Sequence, residues 1–71
     1  MTGMRYAIII ERAGSNYSAY SPDVPGVIAV GDSVAGCRDE MRDALTLHLS
    51  ELAKSGQPAP QPSVILEHVE V

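Results

Sequence analysis

The sequence predicts an α+β domain: a four-stranded mixed sheet, chain order β-β-β-α-β and spatial order 3-2-1-4, with one helix on one face. Three observations lead there. Short β-branched runs flank a Pro22-Asp23-Val24-Pro25-Gly26 corner, and Pro, Asp and Gly together reverse a backbone. Gly31-Asp32-Ser33 then ends the third run and offers a helix cap. Beyond it, apolar residues recur at three- and four-residue steps, as on one side of a long amphipathic helix.

Each element has its own signal. Tyr6-Ala7-Ile8-Ile9-Ile10 is apolar on both alternating faces, as a central strand is. Ala13-Gly14-Ser15-Asn16 supplies a hairpin turn in which Gly14 or Asn16 can take positive φ. Residues 17–20 return as the second strand, and Val27-Ile28-Ala29-Val30 forms the third after the corner. The helix is expected from about Val34 to Lys54. Ser33 or Asp32 caps its start, and Gly56 supplies a left-handed residue at its end. Val34, Cys37, Met41, Ala44, Leu45, His48 and Leu52 form its apolar stripe, which Leu49 widens. Gly36 within it costs about 1 kcal/mol relative to Ala. Pro58, Pro60 and Pro62 make residues 57–63 a stiff, extended spacer. Val64-Ile65-Leu66-Glu67-His68-Val69-Glu70-Val71 reads as the fourth strand, although Val64 and Leu66 differ in parity from Val69 and Val71.

A helix crossing from strand three to strand four makes those strands parallel, with a right-handed connection. The two-faced first strand then lies inside, next to the fourth. One helix covers one face only, so Ala7, Ile9 and one parity of residues 27–30 need a second cover. Seventy-one residues bury only about 60% of their unfolded surface, and association is a common remedy for so thin a core. A homo-oligomer, dimer or tetramer, or a protein partner is therefore expected. Tyr17 and Tyr20 have opposite parity, so one of them faces outward beside the corner. Tyr17, Tyr20, Asp23 and Ile9 are the expected partner-binding residues.

Composition narrows the chemistry. Nine acidic residues against five basic ones give a net charge of −4, which disfavours direct nucleic-acid binding by this chain and suits a basic protein partner. No apolar run is long enough to cross a bilayer, and Met1-Thr2-Gly3-Met4-Arg5 has no leader pattern. Cys37 is the one cysteine, so no internal disulfide forms and the cytoplasm is the expected compartment. An enzyme is not expected. Cys37 and His48 fall three helical turns apart, roughly 16 Å, too far for a nucleophile and its base. No histidine or cysteine has metal-ligand spacing, and no cofactor is indicated. Asp23 and Asp32, the carboxylates in ordered-looking turns, are expected to bond their own backbone corner and helix start.

The order of these motifs resembles the antitoxin domain of the HicB family. The likeness is carried by the aromatic strand with Tyr17 and Tyr20, the Pro22-Asp23-Val24-Pro25-Gly26 corner, Gly31-Asp32-Ser33 before the helix, and Gly56-Gln57-Pro58-Ala59-Pro60-Gln61-Pro62 after it. The resemblance implies a partial ribonuclease H-like fold without its catalytic carboxylates. It also implies an antitoxin that covers the active site of a small basic HicA-type mRNA interferase. Family members commonly add a C-terminal DNA-binding domain. Here a single domain over residues 1–71 is expected, without that addition. Ser33, Val27 and Gly36 stand where the family favours Thr, Cys and Glu, differences that bear on capping and stability. The competing expectation is an orphan oligomeric scaffold or ligand-binding domain of the same fold, with no toxin.

Overall fold

The computed structural model describes residues 4–71. Three strands, β1 (Ile9–Ala13), β2 (Asn16–Ser21) and β3 (Val24–Gly31), precede one helix, α1 (Val34–Lys54). The strands form an antiparallel sheet in the order β1-β2-β3. Gly14, at φ +65°, turns the first hairpin. Pro22 and Asp23 make the second reversal. There the ladder shifts register between Tyr20 and Ser21, and Gly26, at φ +89°, lies in the shifted stretch. Most of the expected corner, Val24, Pro25 and Gly26, is thus the start of a longer β3.

The four-stranded sheet in the order 3-2-1-4 is not formed. The sheet has three strands, all antiparallel, and residues 64–71 belong to no ladder. The physical reason lies at the segment's root and in its pattern. Proline rings at 58, 60 and 62 remove three donors, and Asp23 holds the next two backbone N–H groups, those of Ser63 and Val64. Beyond them the apolar residues change parity, so no single register buries them all. The first strand also begins later than expected: Tyr6 and Ile8 pack against the core but precede the ladder.

The core is a single layer between sheet and helix. Ala19, Val24, Val27 and Ala29 meet Cys37, Met41 and Leu45 there. Cys37 is a core residue, its thiol 3.9 Å from the Ala29 carbonyl oxygen. Of the expected stripe, Ala44, His48, Leu49 and Leu52 are half-buried, whereas Val34 is exposed. Val34 opens the helix before its axis has come down onto the sheet. Ser33 caps the helix by accepting a bond from the Gly36 N–H at 3.0 Å, and Gly56 follows its end at φ +73°. No helix among the described residues is long and apolar enough to cross a membrane.

Candidate partner-binding face

Side chains alternate across a strand, so pairing partners share a face. Ile10, Ala19 and Ala29 form one cross-strand row, turned toward the helix. The next row is Ile9, Tyr20 and Ile28, and a second row on the same face is Glu11, Ser18 and Val30. No element covers these two rows among the described residues. Ile28 is 71% exposed, Val30 56% and Tyr20 42%. Four large apolar side chains therefore stand together on a rigid sheet, with Glu11 at one end. Such a patch on a small domain marks an interaction surface, and its tyrosine brings a rigid ring with a polar tip.

The expected partner residues divide between the two faces. Ile9 and Tyr20 lie together on the open one. Tyr17 lies on the helix side, half-buried, and pairs with Arg12 across the strands. The Arg12 guanidinium sits 5.2 Å from the Tyr17 ring centre and donates to its hydroxyl at 3.0 Å. Ile28 and Val30 were not separable from Val27 and Ala29 by sequence, because the shifted register at Tyr20 decides which parity faces out.

Asp23 serves a different purpose from the one its turn suggested. Its carboxylate does not close onto its own corner. It accepts from the Ser63 hydroxyl at 2.9 Å, the Ser63 N–H at 3.2 Å and the Val64 N–H at 3.3 Å. Partial loss of water raises its pKa, but these three bonds outweigh that effect and hold the carboxyl below its ordinary value. The Tyr6 hydroxyl donates to the Pro60 carbonyl oxygen at 2.6 Å. Two sites far apart in sequence thus fasten the spacer to the sheet.

The described residues include no group of three His, Cys, Asp or Glu side chains placed to hold a metal ion. What the arrangement can do is bind: it offers an apolar face with Glu11 at one end and an extended apolar segment.

Comparison with known proteins bears on what is bound. Residues 6–71 match the family described as the HicB_like antitoxin of bacterial toxin-antitoxin system. Over 66 residues the chain is 26% identical to the "Uncharacterized 14.9 kDa protein in rep-hol intergenic region" of Haemophilus phage HP1 (strain HP1c1). The similarity covers 93% of this chain and 50% of that protein, so the chain spans about half the length of the curated relative it matches.

Proposed function

This chain belongs to the HicB-like antitoxin family of bacterial toxin–antitoxin systems, and from that premise we propose that it neutralises a small basic HicA-type RNA-cleaving toxin by masking it. The observation that carries the reading is the uncovered row of Ile9, Tyr20 and Ile28, joined by Val30. A rigid apolar face of this kind can exclude water from a partner's active site without supplying chemistry of its own. The net charge of −4 favours encounter with a basic partner, while the apolar contact retains the complex afterwards. The same charge speaks against DNA reading by these residues, since few cations are present to replace the counterions of phosphate. Self-association is part of the reading too, because the apolar segment after Ser63 is left exposed.

The test is co-expression with the adjacent gene product, if that gene encodes a small basic chain. Restored growth and co-purification are expected. The complex should form more slowly as salt rises, yet keep most of its affinity. Toxicity that persists, with no co-purification, would leave the orphan scaffold as the better reading. A sequence-specific gel shift by this chain alone would overturn the claim about DNA.

A further inference from the structure

The acidic surface of this molecule has a basic exception, and it is concave. Between the approach to β1 and the middle of α1 runs a groove of about 540 Å³, within the size range of small-molecule sites. Tyr6, Ile8 and Leu45 give it an apolar lining, and Arg5, Arg38 and Arg42 line it with charge. Three of the chain's five basic residues therefore meet in one place. Arg38 and Arg42 are one helical turn apart and share a face of α1, while Arg5 comes from the segment before β1. The groove lies on the helix side of the sheet, away from the open row of Ile9, Tyr20 and Ile28. Whatever it holds is thus independent of the toxin-masking reading.

The charges in the groove are only loosely engaged by the protein itself. Arg38 Nε lies 3.8 Å and Arg42 Nη1 3.6 Å from the same Asp39 oxygen, across exposed surface. A charge-assisted hydrogen bond is shorter, about 2.7–2.9 Å, and exposed pairs of this kind contribute little. Arg5 is in none of the ion pairs among the described residues. Each guanidinium presents several N–H donors in a planar fork, so most of them remain for a ligand. Three guanidinium groups against one carboxylate leave a local charge of +2. A phosphate monoester carries about −1.5 to −2 at neutral pH and offers three acceptor oxygens, which arginine forks bind well. Beside these charges the Tyr6 hydroxyl donates to the Pro60 carbonyl oxygen at 2.6 Å, which holds its ring as a fixed planar surface.

We propose that this groove binds a nucleoside monophosphate, with the phosphate among Arg5, Arg38 and Arg42 and the base on the Tyr6 ring over Ile8 and Leu45. Bases stack on aromatic rings and on guanidinium planes without need of a particular sequence. A bare phosphate leaves the apolar lining uncovered, and a bare nucleoside leaves the arginines unneutralised. The end of a longer strand is disfavoured, because outside these three arginines and Asp39 the chain carries eight acidic residues and two basic ones, a field that repels a polyanion.

Titration of adenosine monophosphate into the isotope-labelled full chain, followed by amide resonances, tests this. Saturable shifts are expected at residues 5–8 and 38–45. Adenosine and inorganic phosphate should each bind at least about tenfold more weakly than the nucleotide. Arg38→Ala with Arg42→Ala should also lose about tenfold or more, with unchanged circular dichroism, because both side chains are exposed. Asp39→Asn removes the competing carboxylate and should bind the nucleotide severalfold more tightly, a gain that a purely structural Asp39 would not produce. Absence of a saturable shift in the native chain would overturn the proposal, as would an affinity indifferent to the arginine pair. Adenosine binding as tightly as the monophosphate would remove the phosphate from the site, and inorganic phosphate binding as tightly would remove the base. A single-stranded oligonucleotide with a terminal phosphate that binds more tightly than the free nucleotide would overturn it in favour of a strand-end site.

Discussion

Gly31 and Gly26 are both required by the structure, for opposite reasons. A Cβ at Gly31 would stand 2.6 Å from the Cys37 backbone nitrogen and 2.7 Å from its Cα. Neither atom can step aside, because both belong to the capped first turns of α1. Gly31→Ala should therefore destabilise by about 1–3 kcal/mol, a fall in melting temperature of roughly 4–8 °C per kcal/mol in a domain this small. At Gly26 there is open space around the missing side chain, and only its φ of +89° resists substitution. Gly26→Val should cost about 1 kcal/mol or more through backbone strain alone. An unchanged melting temperature with lost partner binding would make that corner a recognition element instead. The corner's need for glycine was legible from Pro-Asp-Val-Pro-Gly; the need at Gly31 was not, because it depends on how near the helix passes. The role of Asp23 is hidden for a similar reason. A turn aspartate ordinarily bonds locally, and nothing in the sequence shows Ser63 arriving forty residues later. Its folded-state pKa lies below the unfolded one, so the clamp is fully present above about pH 4 and is lost as pH falls through the lowered value. The Ser63 and Val64 amide resonances should move together over that acid range, and should be flat there in Asp23→Asn. Flat resonances in the native protein would mean that the clamp does not persist in solution.

At the scale of elements, the helix was the most legible part, since its cap, its stripe and its terminal glycine all pointed to the same span. Gly36 looked like a simple defect in it. The cap gives it a purpose: a Cβ there would lie 3.0 Å from the Ser33 hydroxyl oxygen that the Gly36 N–H itself uses. Gly36→Ala therefore gains about 1 kcal/mol of helix propensity and strains a cap worth about as much. The expected outcome is near neutrality in the native background. In a Ser33→Ala background, already weaker by about 1 kcal/mol, the same substitution should stabilise by its full propensity. Denaturant unfolding of the four proteins measures this coupling directly, and equal effects of Gly36→Ala in both backgrounds would rule it out. The fourth strand was the least legible element. Its residues have strand composition, but a strand exists only where an edge and a register are available together, and composition reports neither. The first strand was displaced for a related reason. Tyr6 and Ile8 are apolar because they pack on the core, not because they pair.

For the molecule as a whole, the asymmetry of the sheet matters most: one face is filled by α1, and the other carries Tyr20, Ile28 and Val30 in the open with Ile9 half-buried beside them. That two-faced apolar character was readable in the strands, and so was the fact that one helix covers one face only. The particular residues depended on the pairing of Tyr20 with Ile28. If the open face masks the toxin, Ile28→Asp should leave the fold intact. Its side chain is 71% exposed, and substitutions at such positions usually change stability by less than about 0.5 kcal/mol. Toxin binding should nonetheless weaken at least about tenfold, as expected for a charge buried at the centre of an apolar contact. Leu47→Asp is the matched control, because Leu47 is equally apolar and 63% exposed but lies on α1. Calorimetric titration of the toxin against both variants separates the alternatives. Loss with Ile28→Asp and retention with Leu47→Asp place the contact on the sheet. The reverse pattern would move it to the helix, and the uncovered sheet would then serve another partner.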